Sequence, residues 1–207
     1  MTWLPNTLTS IRLVLVPVFL WLVTRQTLPG SVLALVTFVV ASVTDSLDGY
    51  YARKYSSQSD LGRFLDPLAD KLLVLSAFYW GAFDGAPDGG WFNIWLVHVI
   101  ALREIVITAL RTMHRRSGKQ IITAWAGKWK AVAQMTVLST VLTFEAGARV
   151  FDALGGAAAW LLSAPIWFLV QSLFGIAVVL TVVSGVRYFT VNYRTIPLGD
   201  GGEDPGG

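Results

Sequence analysis

At 207 residues, with 54% hydrophobic and 14% charged side chains and a mean hydropathy of +0.58, the chain is too apolar for an ordinary soluble domain and fits one helical membrane domain. It has no cysteine, which excludes disulfides and thiolate metal sites. The net charge of +3 does not mark a nucleic-acid surface, because the basic residues gather at the ends of apolar runs, a membrane-topology signal.

Six membrane spans are predicted, making an all-α integral membrane protein over residues 1–198. The first runs from Leu8 to Thr24. Its apolar stretch, Leu13 to Val23, is short enough for a signal peptide, but Arg12 lies within the helix and no small-residue cleavage site follows, so it reads as a retained span. Thr9 reads as a helix cap and Arg12 as an interfacial side chain reaching for water, with an active-site role for Asn6 or Arg12 as the alternative. A turn is expected at Leu28-Pro29-Gly30.

The second span, Ser31 to Tyr51, and the third, Leu65 to Phe83, flank the most informative stretch, Asp45 to Asp70, which holds five of the thirteen acidic residues. Asp45 and Asp48 stand i,i+3 at the end of one helix, and Asp66 and Asp70 stand i,i+4 at the start of the next, so each pair shares a face. A carboxylate at the centre of a bilayer costs roughly 2.5–3.5 kcal/mol, so four of them imply a water-filled or cation-binding cavity. Two pairs converging across a helical hairpin give an all-oxygen site suited to a hard divalent ion such as Mg2+. Gly49 and Ala52 clear the helix face after Asp48 for a flat or bulky group, although small residues also serve helix packing, and Arg53 offers a planar fork to a phosphate.

The fourth span is expected from Trp91 to Arg111, the fifth from Gly127 to Phe144 and the sixth from Trp160 to Val191, with turn signals at 84–90 and at Gly155-Gly156. In the fourth, Arg103, Ile107 and Arg111 fall near one stripe and Glu104 and Thr108 on a neighbouring one; a charged pair midway along an apolar span does not face lipid. Lys128 and Lys130 open the fifth, with Gln134 four residues beyond Lys130. Arg111 and Lys128 read equally well as charges that fix topology. Trp3, Trp80, Trp91, Trp95 and Trp160 suit an interfacial belt, and neither His98 nor His114 has a partner at metal-ligand spacing. Basic residues at 53–63 and 111–130 place those loops, both termini and the Asp cluster on the cytoplasmic side. The Gly-rich, acidic tail, 199–207, is predicted to be disordered.

The string D-x2-D-G-x2-A-R-x8-G-x3-D-x3-D, met without a gap by Asp45, Asp48, Gly49, Ala52, Arg53, Gly62, Asp66 and Asp70, resembles the signature of the CDP-alcohol phosphotransferases. The segment from Pro5 to Arg12, with Pro17, is similar to the amino-terminal pattern of the family's phosphatidyltransferases. Arg103-Glu104-Ile105 through Arg111, followed by Gly127-Lys128-x-Lys130 and Gln134, resembles the phosphatidylglycerophosphate synthases within it. The resemblance implies the family fold, a homodimer in the bacterial cytoplasmic membrane, and transfer of a phosphatidyl group from CDP-diacylglycerol to glycerol 3-phosphate with release of CMP.

By the same resemblance, Asp45, Asp48 and Asp66 would bind one or two Mg2+ ions, with Mn2+ as a substitute. Asp70 would be ligand, general base or both. Asp48, Gly49, Ala52, Arg53 and Gly62 would receive the cytidine diphosphate, and Arg103, Arg111, Lys128 and Lys130 the acceptor's phosphate. Ala131 stands where these enzymes commonly have Thr, which leaves open a cardiolipin synthase using phosphatidylglycerol. A cation transporter is the other class to weigh, but it would place its carboxylates nearer the midplane, often with repeat symmetry.

Overall fold

The structure, a computed structural model, describes residues 3–55, 60–83, 90–116, 126–154 and 164–192. Its side chains are described over 11–44 apart from Arg12, and over 71–83, 90–113, 127–154 and 165–192. Among these residues there are six helices and no strand: α1 (Trp3–Thr24), α2 (Leu28–Tyr55), α3 (Asp60–Phe83), α4 (Ile94–Arg116), α5 (Ala126–Ala153) and α6 (Ala164–Asn192). The expected tail, the Gly155-Gly156 turn and the segment 117–125 lie outside the described residues.

Packing joins the helices into a ring in the order α1, α2, α5, α6, α4, α3 and back to α1, with α5 also touching α3 across it. Phe19, Phe38, Phe78, Ile100, Leu138 and Phe174 fill the interior. Polar groups are buried with them, among them Glu104, Lys130, Gln134, Thr181 and Ser184, while Val14, Val18, Trp21, Val36, Val40, Ile176, Val179 and Val183 point outward. An apolar exterior around a partly polar interior fits an integral membrane protein. Of the described helices, Gly127–Ala153 and Pro165–Asn192 are long and apolar enough to cross a membrane, and Leu13–Thr24, Leu28–Thr44 and Lys71–Phe83 are shorter apolar segments.

Several boundaries differ from the sequence expectation, and four of the differences have a clear local reason. Thr9 is no cap, because α1 already begins at Trp3. Leu28-Pro29-Gly30 forms the first turn of α2 rather than a loop; Pro fits there because first-turn N–H groups have no helical acceptor. Thr27 caps this turn, its Oγ1 accepting from Gly30 N at 3.3 Å. A Cβ on Gly30 would lie 2.8 Å from the Leu22 carbonyl oxygen, so only glycine lets α2 start this close to α1. Helix α5 continues past Phe144 to Ala153 and carries Glu145 and Arg149, which had been expected in a connection.

The fourth difference is at Trp91, expected at the head of a span and in an interfacial belt. It lies before α4 and is 2% exposed; Trp80 is buried as well, whereas Trp95 is exposed as expected. Gly90, at φ +103°, turns the chain back on α3 so that Trp91 N donates to Gly81 O. The indole Nε1 donates to Glu145 Oε1 at 2.9 Å, and Gln171 Nε2 donates to the Trp91 carbonyl at 2.6 Å. Phe92 packs on Phe78 and Phe174 at ring separations of 5.3 and 4.6 Å. Asn93 then caps α4, its Oδ1 accepting from Trp95 N at 2.9 Å.

Candidate functional site

The backbone carries Asp45, Asp48, Gly49, Ala52 and Arg53 on the final turns of α2, and Gly62, Asp66 and Asp70 on the first half of α3. Both stretches are helical, so the i,i+3 and i,i+4 pairings hold at the level of the backbone. The side chains of these eight residues, and those of Asn6, Arg12 and His114, lie outside the described residues.

Immediately after Asp70 the side chains are described, and they build a charged cluster. Its centre is Glu104 of α4, 2% exposed. The carboxylate takes Lys71 of α3 on Oε2 at 2.8 Å, Arg103 of α4 on Oε1 at 3.2 Å, and Lys130 of α5 on the same Oε1. Three helices are thereby pinned to one carboxylate. Burial removes water from these ions, a penalty that only direct pairing offsets. Among the described residues, three cations face this one anion.

The cluster extends into α6. Arg103 Nη2 donates to Ser184 Oγ at 2.9 Å, and Ser184 Oγ donates to the Thr181 carbonyl at 3.0 Å. Gln134 of α5 donates from Nε2 to Thr181 Oγ1 at 3.1 Å. Lys130 and Gln134, spaced i,i+4, thus both face inward.

Of the four residues expected to meet an acceptor phosphate, the structure gathers Arg103 and Lys130; Arg111 and Lys128 are exposed. Ala131 is exposed too, so a hydroxyl at that position would not join the cluster. Sequence reasoning missed Lys71, to which it gave no role. The available signal was a cation beside Asp70 on a helix that the other charges had to face. His98 bonds its own helix, Nδ1 lying 2.7 Å from the Ile94 carbonyl. Among the described residues no group of three or more His, Cys, Asp or Glu is placed to hold a metal.

Chemically, cations gathered in this way suit an anionic group, beside the helix that carries Asp66 and Asp70. The CDP-alcohol phosphatidyltransferase family model matches residues 2–183. Three curated relatives are each named CDP-diacylglycerol–glycerol-3-phosphate 3-phosphatidyltransferase. The one from Bacillus subtilis (strain 168) is 35% identical over 93% of this chain and 96% of its own length. The Escherichia coli (strain K12) protein is 33% identical over 90% and 93%. That from Haemophilus influenzae is 36% identical over 67% and 75%.

Proposed function

The chain belongs to the CDP-alcohol phosphatidyltransferase family, and from that membership we propose that it moves the phosphatidyl group of CDP-diacylglycerol to glycerol 3-phosphate, giving phosphatidylglycerophosphate and CMP. It is a transferase of phospholipid biosynthesis. The observation that carries the choice of acceptor is the set of cations Lys71, Arg103 and Lys130 gathered around the buried Glu104, which suits an acceptor bearing its own phosphate.

In this reading the acceptor hydroxyl oxygen attacks the phosphorus joined to the diacylglycerol. A new P–O bond forms as the bond to CMP breaks, CMP departs with the electron pair, and the Asp70 carboxylate takes the hydroxyl proton. Lys130 and Arg103 anchor the acceptor's phosphate so that its hydroxyl meets phosphorus in line. Arg53 grips the nucleotide diphosphate against the small surface of Gly49, Ala52 and Gly62.

The family is in general divalent-metal dependent. The donor set fits this: four carboxylates, on continuous helical backbone, with no nitrogen or sulfur among them. Asp45, Asp48 and Asp66, with Asp70 as a possible fourth ligand, would hold one or two Mg2+ or Mn2+ ions, which when bound neutralise charge on the diphosphate. Six spans with cytoplasmic termini, an active site facing the cytoplasm and a homodimeric state complete the reading; basic residues at 53–63 and 111–116 support the orientation.

The test is CMP release by purified protein supplied with CDP-diacylglycerol, Mg2+ and one acceptor at a time. Release with glycerol 3-phosphate is expected. Equally fast release with phosphatidylglycerol as sole acceptor would transfer the assignment to cardiolipin synthesis.

A further inference from the structure

We propose that Lys71 is a positioning residue for the transfer: its ion pair with Glu104 sets the rotation of α3, and with it the place of Asp66 and Asp70, relative to the cations of α4 and α5. This rests on the function proposed above and adds the residue that keeps its two halves in register. The Glu104 carboxylate divides its oxygens between two tasks. Oε1 takes Arg103 and Lys130, which belong to α4 and α5, and Oε2 takes Lys71 of α3 at 2.8 Å. Without Lys71, Glu104 would still be paired twice, so neutralising this buried acid does not by itself call for a cation from a third helix. The Lys71 side chain keeps 29% of its surface exposed, against 5% for Lys130, so it fills little of the core. What the ion pair adds is direction.

Directional contacts hold α3 toward α4 at two heights. Near the end of the helix, Gly81 O accepts from Trp91 N at 2.6 Å and from Phe92 N at 3.3 Å. About 15 Å back along the axis, Lys71 meets Glu104. Between them Leu73, Val74, Ala77 and Phe78 are buried, and apolar burial rewards area more than orientation. Asp70 precedes Lys71 by one residue, hence by about 100° round the helix, and Asp66 lies one turn before Asp70, so the face that carries the two acids turns with the face that carries Lys71. At an outer helix radius of about 5–6 Å, a rotation of about 10° moves the end of a side chain by roughly 1 Å. Between reacting groups, that displacement costs on the order of a hundredfold in rate. Glu104 follows Arg103 directly on α4 and shares its Oε1 with Lys130, so the ion pair ties the acids of α3 to the residues that anchor the acceptor's phosphate in this reading.

The experiment compares Lys71→Met and Lys71→Arg in the full chain, purified in detergent, with CMP release followed at saturating CDP-diacylglycerol and Mg2+ over a range of glycerol 3-phosphate. Lys71→Met keeps an unbranched side chain and removes the charge. Its kcat should fall at least about tenfold while the KM for glycerol 3-phosphate stays within about threefold, because Arg103 and Lys130 remain on Glu104 Oε1. Lys71→Arg should return kcat to within about threefold of the wild type, since a guanidinium also pairs with the carboxylate. Both variants should unfold at temperatures close to that of the wild type. An unchanged kcat in Lys71→Met overturns the proposal. A raised KM at unchanged kcat also overturns it, marking direct contact of Lys71 with the acceptor. A loss of kcat that Lys71→Arg does not restore, with a lower unfolding temperature in both variants, overturns it in favour of a packing role. In each of these outcomes the transferase reading stands. Wild-type protein that releases no CMP with glycerol 3-phosphate overturns that reading and this one with it.

Discussion

Lys71 and Glu104 meet at 2.8 Å, and through that contact the residue following Asp70 is tied to the middle of α4. The helix that bears Asp70 and the helix that bears Arg103 therefore cannot shift independently. A displacement of about 1 Å between reacting groups is enough to cost a large factor in rate.

Removing the shared carboxylate should be costly. Glu104→Ala leaves three cations facing one another in a buried space and is expected to lower stability by about 3–5 kcal/mol, read as a lower unfolding temperature in detergent. Pairing it with Lys130→Met should recover part of that stability without recovering CMP release.

Two lysines two residues apart should behave differently. Lys130 is buried on Glu104 and Lys128 is exposed. Lys130→Met is expected to raise the KM for glycerol 3-phosphate by more than about tenfold, and Lys128→Met by less than about threefold, because a solvated charge contributes little. Comparable effects at both positions would contradict an acceptor site built around the buried cluster.

Asp70→Asn should reduce CMP release by at least about a hundredfold, since the amide neither takes a proton nor carries charge to a cation. Its unfolding temperature should stay near that of the wild type. Retained turnover in this variant would remove Asp70 from the mechanism.

Chelation with EDTA should abolish activity, and added Mg2+ should restore it, if the all-oxygen donor set is the site of a hard cation. Titrating Mg2+ against rate gives the apparent affinity, and Mn2+ should substitute.

Gly81→Ala tests the fold rather than the chemistry. The new methyl would sit 2.6 Å from Phe92 Cε2, within the Phe78–Phe92–Phe174 group, and should destabilise by about 1–3 kcal/mol in thermal denaturation.

The sequence disclosed the elements and the faces, because helical periodicity and the cost of charge in lipid act locally. Six helices and the turning of Arg103 and Glu104 away from lipid were legible on those grounds. Which helices adjoin was not. Lys71 gains its meaning only because α3, α4 and α5 meet, and no spacing within one helix encodes that meeting. Trp91 misled for a related reason: an indole at a span end suits the interface, but the turn at Gly90 folds it inward onto Glu145.

The threading of the cluster bears on how the protein is made. Lys71 precedes Glu104 in the chain and Lys130 follows it, so a growing polypeptide that has just finished α4 already carries one ammonium group able to neutralise the carboxylate. The second arrives only with α5. Translation thus delivers Lys71 ahead of the acid group, so that α4 can enter lipid with a counter-ion from α3 in addition to its own Arg103.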